Sequence, residues 1–207
     1  MQIWTRRPAG VPFVVSGLHR GGGEEDITWN PSDKGANITL SNGNLDATGA
    51  TAFHSVRATT SRSSGKKYFE ILLVAADASG SIIGAMDGSG TLTTYVGNSA
   101  NGFGHQNNGT DYVTGDTLSN DPATTYTTND VVNIAIDFGA GSAWLGKNGS
   151  WVTGDPAAGT SPWVTGISGA YFPTYSTANA SNAGRLRTKN AQFTGSVPSG
   201  FTSWATP

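Results

Sequence analysis

From Thr28 onward the apolar residues of this chain fall in short segments of strand length, separated by glycine, asparagine and proline. Lys67–Ala75 (Lys-Tyr-Phe-Glu-Ile-Leu-Leu-Val-Ala) is apolar on both faces for most of its length, the pattern of a central strand covered on two sides. Ile82–Met86 is shorter and similar. Val131–Phe138 alternates. Val132, Ile134, Ile136 and Phe138 share one face, and Asn133 and Asp137 with Val131 and Ala135 take the other, which predicts a half-buried strand. Gly139-Ala140-Gly141 turns the chain into a partner strand, Ser142–Lys147, with Trp144 and Leu145 on opposite faces. Asn148-Gly149 is a two-residue hairpin signal, because both central positions of that turn need positive φ. Ile38-Thr39-Leu40 runs into the turn Asn42-Gly43. Ala170–Ser176 carries Tyr171, Phe172 and Tyr175 around Pro173, whose missing N–H predicts a strand end or an edge. No segment has a 3.6-residue apolar period of helical length, and no internal repeat is evident. The pattern predicts an all-β fold of two packed antiparallel sheets, a β-sandwich whose core takes most of the aromatic residues.

Residues 1–26 read differently. Trp4, Arg6, Arg7, Pro8, Pro12 and Phe13 precede Gly21-Gly22-Gly23-Glu24-Glu25-Asp26, which predicts an N-terminal extended arm ending in a flexible acidic joint, with the sandwich over 27–207. Composition narrows the function classes. Charged residues are 13% of the chain, against a usual ~25%, and glycine accounts for 29 of 207 residues. Polarity comes from Thr, Ser and Asn rather than from ions, which suits short strands and tight turns and fits an extracellular or virion-surface protein. Cysteine is absent, which excludes disulfides, thiolate metal sites and a cysteine nucleophile. The net charge is −2 with no basic stripe, so no nucleic-acid partner is expected. No apolar run reaches the ~20 residues that span a bilayer, and Val11–Val15 is too short and too broken for a signal-peptide core.

Candidate chemistry is sparse. A glycosidase needs two facing carboxylates, about 5–5.5 Å apart for retention. The glutamates are Glu24 and Glu25 in the arm and Glu70 on the Lys67–Ala75 strand, and no carboxylate stands two residues from Glu70. Asp137 is expected to bond the turn amides at Gly139–Gly141. Asp77-Ala78-Ser79-Gly80 and Asp87-Gly88-Ser89-Gly90 resemble fragments of calcium loops but lack the further acidic ligands, and read as β-turns. His19, His54 and His105 have no zinc spacing, so no metal site is expected. The stretch Tyr95–Tyr112 has the composition of a sugar site, aromatics for stacking and planar amides for hydroxyls. Its candidate ligand-binding residues are Tyr95, Asn98, Phe103, His105, Asn107 and Tyr112, with Asn101, Gln106 and Asn108 beside them. The same stretch also reads as a solvated polar loop with one or two core aromatics.

Several segments together resemble the SPRY domain. Gly65-Lys66-Lys67-Tyr68-Phe69-Glu70-Ile71 is similar to its GKxYFE strand, and Tyr95-Val96-Gly97-Asn98 with Gly102-Phe103-Gly104 to its turn into an aromatic-glycine pair. Asn129–Asp137 running into Gly141, Trp144 and Lys147-Asn148-Gly149 is similar to its KNG hairpin, and Tyr171-Phe172-Pro173 to its YP strand. Two departures stand out: Asn133 replaces a usual glycine, and the loop Asp155–Pro162 is long. The resemblance implies a concanavalin-like sandwich that binds proteins or peptides through loops at one edge, without catalysis or cofactor. Its low-charge, Gly/Thr-rich variety resembles domains of tailed-bacteriophage virion proteins. The resulting expectation is a non-enzymatic virion structural protein at the particle surface, a homo-oligomer docked onto other virion proteins by Trp4, Arg6, Arg7 and Phe13 of the arm. The alternatives are a module binding a host-surface glycan or receptor and, behind it, a glycoside hydrolase using Glu70.

Overall fold

The structure, a computed structural model, describes residues 23–207. The arm residues Trp4, Arg6, Arg7 and Phe13 lie outside the described residues. The strands in chain order are β1 (Trp29–Lys34), β2 (Thr39–Ser41), β3 (Asp46–Thr48), β4 (His54–Ala58), β5 (Lys66–Ala75), β6 (Ser81–Asp87), β7 (Gly102–Gln106) and β8 (Asp111–Thr114). They continue with β9 (Thr117–Leu118), β10 (Val131–Asp137), β11 (Ser142–Lys147), β12 (Ser150–Trp151), β13 (Val164–Thr165), β14 (Tyr171–Thr177), β15 (Ala183–Arg187) and β16 (Thr202–Ser203). One sheet has six strands in the order β1-β4-β14-β6-β7-β8. The other has ten, in the order β2-β3-β15-β5-β10-β11-β13-β9, with β12 on β11 and β16 on β5. All pairings are antiparallel except that of β16, which continues beside Lys67 and Tyr68 where β15 leaves β5.

The pleat sorts the side chains. Phe69, Ile71 and Leu73 of β5 and Val132, Ile134 and Ile136 of β10 meet Val56, Ile83, Phe103, Tyr171 and Tyr175 of the smaller sheet in one continuous core. Trp29, Trp144, Trp163 and Trp204 are fully buried, as expected of the aromatics. The outer faces are not bare. Tyr68, Ala135 and Trp144 lie under Phe193, Val197 and Phe201 of the C-terminal segment, which forms a strap over the larger sheet. Ile82 and Met86 lie under Leu92, Tyr95 and Val96 of the loop between β6 and β7.

That strap corrects one expectation. β10 is buried along its whole length, not on one face, because the strap covers the side bearing Asn133 and Asp137. A second correction concerns Pro173. It lies inside β14, between β4 and β6, and not at an edge. The ladder to β4 begins only at Thr174, and Tyr171 pairs instead with Arg62, so the proline nitrogen falls at a break in the ladder. The acidic joint is also not free. The Glu25 amide bonds the Ala205 carbonyl, Glu24 accepts from Asn190 and Ser203, Glu25 pairs with Arg62, and Asp26 pairs with Lys189. Residues 24–26 therefore belong to the folded domain.

The hairpin at Asn148-Gly149 forms as read, with φ of 52° and 83°, and pairs β11 with β12 through Lys147↔Ser150 and Gly146↔Trp151. The preceding hairpin, turned at 139–141, holds β10 and β11 in register from Val132↔Lys147 to Asp137↔Ser142. Asp137 accepts the Gly139 and Ala140 amides at 2.9 and 3.0 Å, as expected. Asp130 braces the other end of the hairpin. Burial opposes its charge, but Asn148 Nδ2, the Thr127 amide, Lys147 and the Thr127 hydroxyl outweigh it and lower its carboxyl to about 2. A carboxyl with a folded pKa below its unfolded ~3.9 contributes stability above that value and loses it as pH falls through the folded pKa. In acid urea titrations, wild type and Asp130→Asn are therefore expected to differ at pH 5 and to converge toward pH 2. A difference that persists undiminished at pH 2 would reject this linkage.

Candidate functional site

Three loops meet at the end of the sandwich where β5 finishes: residues 76–80 after β5, the 107–110 turn between β7 and β8, and 121–130 before β10. They enclose a cavity of about 420 Å³ lined by Ala76, Asp77, Ala78, Asn107, Asn108 and Thr125–Thr127, a volume within the range of small-ligand pockets. Each wall is braced from behind. Asp77 Oδ1 accepts the Ser79 and Gly80 amides at 3.2 and 2.7 Å, and Asp77 Oδ2 accepts Asn179 Nδ2 at 2.5 Å. Burial resists ionisation of Asp77, but Asn179, Asn182 and the two amides prevail and lower its pKa. The turn reading of Asp77–Gly80 therefore holds, and so does that of Asp87, whose Oδ1 accepts the Ser89 amide at 2.9 Å.

Asn107 ties two walls together. Its Nδ2 donates to the Asp77 carbonyl, its Oδ1 accepts the Ser81 amide, and its carbonyl accepts the Tyr126 amide at 2.9 Å. Tyr126 donates its hydroxyl to the Gly146 carbonyl at 3.0 Å, and burial pushes that phenol far up. Lys147 Nζ holds the Thr125 carbonyl at 2.7 Å. The loops are thus fixed by the sandwich in advance of any ligand, which lowers the entropy lost on binding.

Beside the cavity, on the outer face of the six-stranded sheet, Tyr95 and Tyr112 form a half-buried pair with ring centroids 4.6 Å apart, and Phe53 packs on Tyr95 at 5.4 Å. Gly97 makes this pairing possible. Its φ is +83°, and a Cβ there would lie 2.3 Å from the Tyr112 carbonyl oxygen. Gln106 joins shelf to cavity. It donates to the Ser79 carbonyl and accepts the Tyr112 hydroxyl at 3.0 Å. Burial, then the neighbouring Tyr95, raises the Tyr112 phenol, which keeps it a donor.

The six sequence candidates therefore separate. Tyr95 and Tyr112 come together, and Asn98 is exposed nearby with its Nδ2 on Thr94 Oγ1. Asn107 lines the cavity mainly as its brace. Phe103 and His105 are fully buried and face the core, a correction that follows from the two-residue period of β7. Phe103 packs edge-on against Trp163 at 5.2 Å. His105 sets Nδ1 2.8 Å from Asp111 Oδ1 and Nε2 2.7 Å from the Thr124 carbonyl, so it supports the wall from inside. The other walls, Ala76–Ala78 and Thr125–Thr127, had only the Asp77 turn as a sequence signal.

Glu70, the candidate glycosidase acid, is wholly buried under the strap. It accepts the Tyr68 hydroxyl at 2.7 Å, Asn133 Nδ2 at 3.1 Å, and the Thr194 and Gly195 amides at 2.9 and 2.8 Å, and it faces Arg187 at 3.4 Å. Asn133, the departure from the usual glycine, completes this network by also donating to the Tyr68 hydroxyl and accepting the Gly149 amide. Among the described residues no group of three or more His, Asp or Glu has metal-ligating proximity, and no helix is long and apolar enough to cross a membrane.

No protein-family model matches this sequence, and no curated protein sequence does. Solved structures do match. The SPRY domain of human HERC1 superposes with a TM-score of 0.59 at 16% identity, over 77% of this chain and 96% of that one. A second human SPRY domain gives 0.53 at 13% identity, over 73% and 94%. The two-sheet sandwich is thus the fold of SPRY domains.

Proposed function

We propose that this chain, a sandwich with the SPRY fold, is a non-enzymatic presentation module, held by its N-terminal arm at one end and recognising a ligand at the other. The observation that carries this reading is the polarity of β5. The chain enters beside the start of β5, where Glu25 bonds Ala205 and Arg62 and where β16 runs beside Lys67 and Tyr68. The cavity opens where β5 ends, at Ala76–Ala78. Ten residues at ~3.3 Å each put about 30 Å between the two ends. The point where residues 1–22 join the domain is thus remote from the cavity. Burial of Glu70, with both oxygens engaged, speaks against glycosidase chemistry on this sheet.

The low-charge, Gly/Thr/Ser-rich composition suits a virion-surface protein, and the resemblance to domains of tailed-phage virion proteins favours a place on such a particle, as one of several identical copies attached to other virion proteins through Trp4, Arg6, Arg7 and Phe13. Two variants separate the ends. A chain lacking residues 1–22 is expected to melt like wild type and still adhere to host cells, yet to be missing from assembled particles. Asn108→Ala combined with Tyr112→Ala is expected to enter particles normally and to adhere at least tenfold less. If the truncated chain assembles at full occupancy, the tether is elsewhere. If the double variant adheres like wild type, the loop end is not the recognition surface.

A further inference from the structure

The charges of the molecule narrow the ligand. Each of the nine lysines and arginines among the described residues already has a partner within the chain. Seven face carboxylates: Arg57 on Asp33, Arg62 on Glu25, Lys66 on Asp137, Lys147 on Asp130, Arg185 on Asp46, Arg187 on Glu70 and Lys189 on Asp26. Lys34 donates to the Ile38 carbonyl at 2.7 Å and Lys67 to the Thr206 carbonyl at 2.6 Å. The exposed members of such pairs add little stability, but each acid cancels most of the field of its base. At the loop end the imbalance goes further. Asp77 lines the cavity and Asp121 and Asp130 lie on one of its loops, while Lys147, bound to both Asp130 and Thr125, is the cation there among the described residues.

An anionic polymer would therefore meet carboxylates there with no free cation among the described residues to answer them. A protein partner is also poorly served. Protein interfaces concentrate their energy in large apolar or aromatic anchors. Among the described residues the one exposed large hydrophobic is Leu118, 42% exposed on β9, with Tyr95 and Tyr112 only half-buried. What the rim does offer is neutral hydrogen bonding beside aromatic rings. Asn108, Thr125 and Thr127 are exposed around the cavity, Asn98 is exposed beside the shelf, and the two tyrosines lie next to them. Amides and hydroxyls match sugar hydroxyls, and a tyrosine face matches the C–H face of a pyranose.

Resting on the recognition reading above, we infer that the cavity and the tyrosine shelf bind an uncharged glycan chain, in preference to an anionic polymer or a protein surface. The full chain is to be tested on a microarray of neutral, sialylated and sulfated oligosaccharides, with Asn108→Ala and Tyr112→Ala beside it. Wild type is expected to bind neutral glycans equally in 0.1 and 1 M NaCl, because no counterion is released. Each variant is expected to bind at least tenfold less; Asn108 is exposed, so its replacement should leave the melting curve unchanged, whereas Tyr112→Ala gives up a half-buried ring contact and is compared below its own melting transition. Binding confined to sialylated or sulfated glycans, or lost in 1 M NaCl, overturns the inference. So does binding of no glycan at all. If in that case host-cell adhesion still falls in the Asn108/Tyr112 variant, the site stands and the ligand class is wrong. If adhesion is unchanged as well, both readings fall.

Discussion

Glu70→Ala is expected to destabilise the domain by about 3–5 kcal/mol, the usual result of breaking a buried charged network by removing one member. The carboxylate is entirely enclosed and collects donors from three directions: Tyr68 on its own strand, Asn133 on β10, and the Thr194 and Gly195 amides of the strap. Alanine leaves the Tyr68 hydroxyl and the Thr194 and Gly195 amides without their acceptor and takes one acceptor each from Asn133 and Arg187, so that desolvation of these groups is no longer compensated. At roughly 2–4 °C per kcal/mol for a chain of this size, the melting temperature should fall by about 10 °C. The loss has a location. The strap touches the larger sheet through Phe193, Val197 and Phe201, and Glu70 ties its backbone to β5. Residues 190–200 should therefore become the first site of limited proteolysis in the variant. Glu70→Gln keeps one acceptor oxygen and should fall between the two. An Ala variant that melts within 2 °C of wild type, with the strap still protected, would mean that Glu70 does not hold the strap.

Trp163→Ala is expected to remove about 4–5 kcal/mol, at the upper end for a buried tryptophan. Its ring fills the core against Phe103 and lies 6.1 Å from His105, and its Nε1 donates to Asp111 Oδ1 at 2.9 Å. That same oxygen faces His105 Nδ1, and Asp111 Oδ2 has no partner, so the carboxylate depends on these two contacts. The variant loses packing and a charge-assisted bond together. Trp163→Phe separates the two, since it keeps most of the ring contact and removes the N–H; about 1–2 kcal/mol should be lost. Denaturant midpoints of the three proteins decide it. A Phe variant as stable as wild type would assign the whole effect to packing. Because His105 also bonds the Thr124 carbonyl, the Ala variant should loosen the 121–127 wall of the cavity, seen as faster amide exchange there.

The elements visible in the sequence were those whose cause is local. Asn148-Gly149 announced its hairpin because positive φ is a property of two adjacent residues. Asp77, Asp87 and Asp137 announced their turns because the amides they accept are two or three residues away. The apolar run of Lys67–Ala75 announced a central strand, and β10, β15 and β16 do flank it. Of the candidate site, Tyr95 and Tyr112 were legible as a pair of aromatics in a polar stretch. Phe103 and His105 were misread because composition does not say which face of a strand a residue takes. The phase of β7 follows from its pairing with β6, Ile83↔His105 and Ala85↔Phe103, and hence from residues on another strand.

The strap shows the same division at larger scale. Nothing near Asn133 or Asp137 tells that their face is covered; the cover comes from Phe193, Val197 and Phe201 at the far end of the chain. The separation of Glu25 from the cavity likewise needs the whole ladder along β5. The sequence alone determined the class of fold, its tightest turns and the absence of thiol chemistry, since backbone geometry, side-chain alternation and composition act over a few residues or over none. Tertiary structure alone decided which polar groups are walls and which are core, and where the carboxylates and cations find each other. Those outcomes depend on strand order, and strand order is set by burial summed over the whole chain rather than by any one segment.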